Sequence, residues 1–183
     1  AYLNPKLNTL LPDPMHLLGM KSAVLRLSDA IKKGQKISVF GDYDVDGATS
    51  SALIFRYFHA IGTDLRIYIP DRLKEGYGPT RSAMEQLKAE GTDIVITLDC
   101  GTAAHDSLSY AKQIGLDVVV VDHHVAEASL PEAIAVINPN RLDEDSPHRQ
   151  LAAVGVTFLL IIALNSGLRD QGYFSEQNIS EPD

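Results

Sequence analysis

Three aspartates alternate in a short run that directly follows an apolar stretch. The run is GDYDVDG at residues 41–47, and the apolar stretch is residues 37–40. Alternate side chains of an extended segment point the same way, so these carboxylates would crowd and repel one another. A hard divalent cation would relieve that repulsion, because Mg²⁺ and Mn²⁺ prefer oxygen ligands. Asp42, Asp44 and Asp46 are therefore candidate metal ligands, and the alternative for such a run on its own is a solvated acidic turn.

Further acidic and imidazole groups follow two other apolar runs. Asp99 comes directly after residues 94–98, and the triplet Asp122, His123 and His124 comes directly after residues 117–121. In an open parallel sheet the carboxyl ends of the strands share one edge, where ligands bind. Three separate strand exits would thus bring carboxylates and imidazoles to one place, which favours a site over an isolated turn.

A mixed set of carboxylates and imidazoles predicts a particular class of metal chemistry. Such ligands suit Mn²⁺ or Mg²⁺, and the imidazole favours Mn²⁺. A structural zinc site is disfavoured, since Cys100 is the chain's single cysteine. Asp99 could bridge two ions, and two metals about 3.5–4 Å apart can clamp the attacking and leaving oxygens of a phosphoryl transfer. The spacing alone suggests metal-assisted hydrolysis of a phosphoester or phosphoanhydride.

The elements that would position these residues form an alternating pattern. Short β-branched runs alternate with helical stretches, which predicts an α/β fold with an open, mainly parallel five-stranded sheet and helices on both faces. The near-continuous Val and Ile of the third and fourth runs predict burial on both faces of the sheet. Strands are predicted at residues 36–40, 65–69, 94–98, 117–121 and 133–137, and helices at residues 16–33, 48–61, 80–89, 103–114 and 150–165.

Length and composition set the remaining bounds. With 183 residues, of which 45% are hydrophobic, the chain can bury a core as one domain. The longest apolar stretch, residues 154–164, is shorter than the roughly 20 residues of a membrane span and predicts a buried helix. No membrane partner is expected, and without a signal pattern a cytoplasmic location is expected. The net charge of −8 argues only weakly against nucleic acid, because bound cations would cancel charge where an anionic substrate docks.

The motifs also resemble a known family. GDYDVDG at 41–47, TLDCG at 97–101 and DHH at 122–124 are similar, in this order, to the first three motifs of the DHH phosphoesterase superfamily. Within that superfamily the chain most resembles the branch of single-strand-specific 5′→3′ DNA exonucleases. PDR at 70–72 and EGYGP at 75–79, with INP at 137–139, are similar to further segments of that branch. The resemblance covers essentially the whole chain.

The resemblance implies roles for individual residues. It implies metal ligation by Asp44, Asp46, Asp99 and His123, with Asp99 as the bridge between two Mn²⁺ or Mg²⁺ ions. Asp42 would be a further ligand or an acid behind the ligands, and Asp122 would orient the neighbouring imidazole. His124 would face the scissile phosphate as a hydrogen-bond or proton donor to the leaving oxygen.

The chain departs from the family pattern in two ways. Many relatives outside that exonuclease branch carry a His at the position of Phe40, so Asp42 would take its place here. The fourth family motif, which supplies another metal-binding aspartate, is expected beyond Asp183, as are a second DHH-associated domain and an oligonucleotide-binding domain. Residues 1–183 are therefore interpreted as a DHH domain truncated on its C-terminal side, with an incomplete second metal site and weak or no activity alone.

Substrate contacts are predicted on the loop after the second strand. Arg72 could bind a phosphate through its guanidinium fork, and Gly76 allows close approach of the backbone to a ligand. Tyr77 could stack on a base of the expected substrate, single-stranded DNA. A helicase or a single-strand-binding protein are candidate partners, and the oligomeric state stays open.

Three alternatives remain at this point. A related DHH enzyme, such as a pyrophosphatase, a nanoRNase or a cyclic-dinucleotide phosphodiesterase, would use the same ligands. A receiver-like domain would need a Lys after the last strand, where residues 138–140 read Asn-Pro-Asn, and would leave the DHH triplet unexplained. A catalytically inactive binding module is the third.

Overall fold

A five-stranded parallel sheet lies at the centre of the computed structural model, which describes residue 6 and residues 10–182. The strand order is β2-β1-β3-β4-β5, and every neighbouring pair is parallel. The predicted α/β class with five strands is confirmed. The chain-end residues 1–5 and Asp183, which entered the expectation of a truncated domain, lie outside the described residues. The strands are β1 (Ile37–Gly41), β2 (Leu65–Tyr68), β3 (Ile94–Leu98), β4 (Asp117–Val121) and β5 (Ala135–Ile137).

Helices cover both faces of the sheet, as predicted. One core cluster joins α1, α2, α6 and α7 to one face of the strands, and a second joins α4 and α5 to the other face. Ile94 and Ile96 of β3 belong to the first cluster and Val95 to the second, and the strand is buried throughout, as a central parallel strand must be. The helices are α1 (Met20–Lys32), α2 (Val45–Ala60), α3 (Arg72–Glu75), α4 (Arg81–Ala89), α5 (His105–Gln113), α6 (Ala153–Asp170) and α7 (Tyr173–Gln177).

Helix α6 is the apolar segment that the sequence predicts to be buried. By length and composition alone it could cross a membrane. In the fold it contacts α1 and α2, and Val156, Leu160 and Leu164 on its inner side are fully buried. It is therefore a core helix, and it begins three residues later and ends five residues later than predicted.

Several predicted boundaries were wrong for identifiable reasons. The helix predicted from residue 16 starts at Met20, because Gly19 adopts φ 84° and approaches the backbone of Val136 too closely for any side chain. A 3₁₀ turn at Pro14–His16 precedes it. The region after β2, predicted to be a loop, contains α3, whose first turn Asp71 caps by accepting a hydrogen bond from Leu73 N.

The most consequential error concerns the aspartate run. Helix α2 was predicted from residue 48 but begins at Val45. Asp44 is its N-cap, accepting hydrogen bonds from the backbone N–H of Asp46 at 2.9 Å and of Gly47 at 3.1 Å. The three carboxylates therefore do not share one face of an extended segment. They are distributed over a strand exit, a helix cap and a first helical turn.

Candidate metal centre and active site

Three aspartates occupy equivalent positions at the carboxyl edge of the sheet. Each is the first residue after its strand, and each continues the sheet ladder by one hydrogen bond. Asp42 N donates to Leu98 O at 3.1 Å and Asp99 N to Val121 O at 3.0 Å. Asp122 N donates in the same way to Ile137 O at 3.0 Å. The backbone thus fixes these residues at one level, on adjacent strands, as the predicted convergence of strand exits requires.

Asp99 is, with Asp122, one of the two most buried carboxylates of this edge. It is 1% exposed and has φ 63°, a left-handed conformation that a non-glycine residue seldom adopts. Its Oδ1 lies 3.2 Å from Nε2 of His123, yet no donor within the described residues makes a hydrogen bond to it. Burial, followed by the hydrogen bond and the charge of Asp44, raises the pKa of Asp99 to about 8.

Asp42 and Asp44 follow β1, which lies on the other side of β3 from β4, the strand that the two histidines follow. Asp42 is 3% exposed, and its Oδ1 also lacks a hydrogen-bond donor in the described part of the chain. Burial raises the pKa of Asp42, and the nearby charge of Asp44 adds to the rise. The pKa of Asp44 is lowered instead, chiefly by the hydrogen bond from Gly47 N at the start of α2.

These groups fit a cation. One ligand atom each from Asp99, His123 and His124 lie within 4.8 Å of one another, and so do one each from Asp42, Asp44 and Asp99. Asp99 belongs to both sets, which is the position that a bridging carboxylate would hold. Two buried carboxylate oxygens without hydrogen bonds would be costly unless a cation compensates them.

Asp46 stands slightly apart from the other predicted ligands. It lies in the first turn of α2 and belongs to neither set, although its Oδ2 is 3.9 Å from Nε2 of His123. The structure therefore brings all five predicted ligand residues to one edge. The assignment of each as a ligand stays a prediction.

Asp122 holds His124 rather than His123. Its Oδ1 accepts a hydrogen bond from Nδ1 of His124 at 2.7 Å, and its Oδ2 accepts one from Thr102 N at 3.0 Å. Burial by itself would raise the pKa of Asp122, but the hydrogen bonds from His124 and Thr102 outweigh it and lower the pKa to about 2. The same hydrogen bond raises the pKa of His124. With Nδ1 engaged in this way, Nε2 is the ring nitrogen available to a substrate.

Two asparagines at the exit of β5 support the histidines, and sequence reasoning missed this role. Nδ2 of Asn140 donates to His123 O at 2.6 Å, and Nδ2 of the fully buried Asn138 donates to His124 O at 2.8 Å. The side chain of Asn138 also accepts from Asn140 N at 2.8 Å. The available signal was that both amides directly follow the last predicted strand and so share the carboxyl edge.

The predicted substrate-binding residues take different positions. Arg72 begins α3, where its guanidinium lies 5.2 Å from the centre of the Tyr43 ring. Gly76 ends α3 with φ 79°. The hydroxyl of Tyr77 lies 3.2 Å from Asp99 O and 3.3 Å from Nδ1 of His124. Burial raises the pKa of Tyr77, with the charge of Asp122 adding to the rise.

A cavity of about 290 Å³ opens beside the Tyr77–His124 pair. Pro79, Ala103 and Val125 give it apolar walls, and Asp122 contributes to its polar side. Neither Arg72 nor Gly76 lines it. Of the three residues predicted to bind substrate, Tyr77 is thus the one that borders the cavity beside His124.

Comparison with known proteins gives consistent results. The family model described as "DHH family, N-terminal domain" matches residues 36–181. The chain is 43% identical to the single-stranded-DNA-specific exonuclease RecJ of Salmonella typhimurium, over 91% of the chain and 29% of that protein. It is 37% identical to RecJ of Thermus thermophilus, over 86% of the chain and 24% of that protein. The chain thus spans less than a third of the length of these curated relatives.

Solved structures agree with the sequence relatives. A crystal structure of exonuclease RecJ bound to manganese has a TM-score of 0.75 and 34% identity, over 94% of this chain and 40% of that chain. RecJ from Thermus thermophilus in complex with Mn²⁺ has a TM-score of 0.70 and 30% identity, over 98% of this chain and 24% of that chain. Both superpose with nearly all of the chain.

Proposed function

The chain belongs to the DHH family, and from this premise we propose that it is the catalytic core of a metal-dependent exonuclease that degrades single-stranded DNA from its 5′ end. One observation carries the proposal. Two clusters of potential ligands share the buried Asp99 at the strand edge that also presents His124. The curated relatives of this sequence are single-stranded-DNA-specific exonucleases, and the 5′→3′ polarity is taken from the family resemblance.

The metal would be Mn²⁺ or Mg²⁺, held by Asp44, Asp46, Asp99 and His123, with Asp42 beside them. Bound there, such ions lower the pKa of a water molecule and offset the charge of the phosphate. The carboxylates and the imidazole of His123 suit these ions, and related RecJ structures contain manganese or magnesium. This also reconciles the chain's net charge of −8 with a polyanionic substrate.

His124 and Asp122 would act on the leaving group. Asp122 holds Nδ1 of His124 and raises its pKa, which favours the ring form in which Nε2 carries a proton. That Nε2–H can donate a hydrogen bond, or its proton, to the oxygen that leaves the scissile phosphate. Asp122 binds the ring of His124 and Asn138 binds its backbone carbonyl, so Nε2 is presented in a fixed direction.

Partners and location follow from the same proposal. The substrate is single-stranded DNA, and a helicase or a single-strand-binding protein would generate or present that strand. The bacterial relatives process DNA, so the expected cytoplasmic location remains part of the proposal.

The test compares substrates in the intact protein. Single-stranded oligonucleotides labelled at the 5′ or the 3′ end are incubated with Mn²⁺, with Mg²⁺ and with a chelator, beside duplex DNA, pyrophosphate and dinucleotides. We expect early release of the 5′ label from the single strand, dependent on metal and abolished by Asp99→Asn. Preferential hydrolysis of pyrophosphate or of dinucleotides would replace the proposal with one of the related DHH activities. Hydrolysis of none of them would support the inactive binding module.

A further inference from the structure

The hydroxyl of Tyr77 contacts residues that follow two different strands. It lies 3.2 Å from the carbonyl oxygen of Asp99, at the exit of β3. It also lies 3.3 Å from Nδ1 of His124, after β4. The Tyr77 ring meets the His124 ring edge-on, with centroids 5.9 Å apart and an interplanar angle of 77°. One side chain thus contacts both the residue shared by the two ligand clusters and the residue assigned to the leaving group.

The directions of these hydrogen bonds follow from their donors and acceptors. The Asp99 carbonyl can only accept, so the Tyr77 hydroxyl donates its proton to that oxygen. The Nδ1–H of His124 forms a bifurcated hydrogen bond. Its shorter branch, at 2.7 Å, goes to Asp122, and its longer and weaker branch, at 3.3 Å, goes to the hydroxyl oxygen of Tyr77. The polar contacts therefore run in one order, from His124 through Tyr77 to Asp99.

The main chain of Asp99 needs such support. Its φ of 63° is a conformation that is unfavourable for a non-glycine residue, and it persists only where the surroundings enforce it. The N–H of Asp99 is held by Val121 O at 3.0 Å. The carbonyl on the other side of this residue is held by Tyr77. Both peptide groups that flank the strained Cα are thereby fixed by different elements.

The loop that carries Tyr77 is shaped to place it. Gly76 and Gly78 flank Tyr77 with φ 79° and 76°, backbone conformations that glycine adopts without strain. The base of the loop is anchored by Glu75, which accepts hydrogen bonds from the hydroxyl of Tyr68 in β2 at 2.5 Å and from Asp71 N at 2.7 Å. The hydroxyl of Tyr77 is therefore delivered to the site from an anchored loop.

We propose that Tyr77 is a positioning residue, whose hydroxyl holds the main chain of Asp99 and the ring of His124 at a fixed separation. This inference rests on the proposed function, because it makes Tyr77 responsible for the distance between the metal-binding carboxylate and the leaving-group histidine. It differs from the base-stacking role expected from the sequence. Base stacking uses the face of the ring, whereas positioning uses the hydroxyl.

Two variants separate these roles in the intact protein. Tyr77→Phe keeps the ring and removes only the hydroxyl, and Tyr77→Ala removes both. Tyr110→Phe is the matched control, since Tyr110 lies on α5 with its hydroxyl bound to Glu85, outside the site. Steady-state kinetics on single-stranded DNA, Mn²⁺ titration calorimetry and thermal unfolding are measured for each variant.

For Tyr77→Phe we expect kcat to fall about fivefold, the factor that corresponds to one net hydrogen bond of about 1 kcal/mol. KM should stay unchanged, Mn²⁺ affinity should fall by a similar factor, and the unfolding temperature should match that of Tyr110→Phe. A Tyr77→Phe variant with wild-type kcat and Mn²⁺ affinity would overturn the proposal. In that case a raised KM in Tyr77→Ala alone would assign Tyr77 to base stacking.

The calorimetry keeps this inference separate from the proposed function. A wild-type protein that binds Mn²⁺ but leaves single-stranded DNA intact would reject the nuclease, and the Mn²⁺ affinity of Tyr77→Phe would still judge the positioning role. A wild-type protein that degrades DNA, with a Tyr77→Phe variant equal to it in kcat and in Mn²⁺ affinity, would reject the positioning role alone.

Discussion

Nε2 of His123 lies 3.2 Å from the buried Oδ1 of Asp99, and that oxygen accepts no hydrogen bond within the residues that the structure describes. The two residues leave neighbouring strands, β4 and β3, whose backbones are held in register up to their last residues. Two ligand atoms that approach closely without a hydrogen bond between them are well placed to share a cation. We therefore expect metal binding to offset the cost of burying the Asp99 carboxylate.

The burial of Asp99 predicts how the free energy of unfolding depends on pH when a chelator removes metal. The pKa of Asp99 is about 8 in the folded protein against 3.8 for an ordinary aspartate, so the folded chain holds a proton that the unfolded chain releases between these values. The Asp99 contribution to the free energy of unfolding therefore falls as pH rises from about 4 to about 8. The free energy of unfolding, measured with urea, should fall less between pH 5 and pH 8 for Asp99→Asn than for the wild type.

The control for this pH experiment is Asp64→Asn. Asp64 is exposed and precedes β2, at the opposite edge of the sheet. His124, whose pKa is raised, also loses its stabilising contribution as pH rises, but it is present in all three proteins. Equal declines in Asp99→Asn and in the wild type would contradict the assignment of a raised pKa to Asp99.

Asp122 and His124 are predicted to act as one unit. Asp122→Asn removes the charge that orients His124, and losses of this kind cost about 10–100-fold in activity. His124→Ala should cost at least as much, because it removes the donor itself. The double variant should be no slower than His124→Ala, since Asp122 acts through that ring. Losses in kcat that multiply across the two substitutions would show that Asp122 acts independently of His124.

Asn140 is predicted to matter for metal binding although it is not a ligand. Asn140→Ala removes the hydrogen bond to His123 O and frees the segment that carries His123. By analogy with other groups that orient metal ligands, we expect Mn²⁺ affinity to fall about tenfold or more in calorimetry. Asn165→Ala, in α6, removes an amide bound to Glu181 and should leave the affinity unchanged. Equal affinities in the two variants would remove Asn140 from the site.

Much of this site was predictable because the ends of buried parallel strands can be located from the sequence. The Val and Ile content of β3 and β4 marks buried parallel strands, and Asp99 and Asp122 follow them directly, so their meeting at one edge required only the topology. Both strands were predicted with their observed bounds.

The aspartate run was less predictable because two physical readings fit it. Alternating aspartates fit an extended segment, but an aspartate is also a favoured N-cap, and the cap at Asp44 prevailed in the fold. The roles of Asn140 and Tyr77 could not be derived from periodicity. They depend on hydrogen bonds between residues far apart in the sequence, which only the packed structure specifies.

Arg72 is predicted to affect substrate binding rather than chemistry. Its exposed guanidinium stacks on Tyr43, which follows the carboxyl end of β1, and it does not line the cavity beside His124. Arg72→Ala should raise KM for single-stranded DNA severalfold at nearly constant kcat, with the effect shrinking as salt is added. The control is Arg81→Ala, which breaks an exposed salt bridge with Asp106 of α5 and is expected to behave as the wild type. A change in kcat without a change in KM would place Arg72 in the catalytic machinery.

The metal centre itself is tested most directly by anomalous diffraction from crystals grown with Mn²⁺. The account predicts manganese peaks at the carboxyl edge of the sheet, in contact with the Asp99 carboxylate and with His123 or Asp44 as neighbours. These peaks should disappear in Asp99→Asn and persist in Asp64→Asn. Manganese that binds elsewhere, or that remains at this edge in Asp99→Asn, would contradict the central role of Asp99.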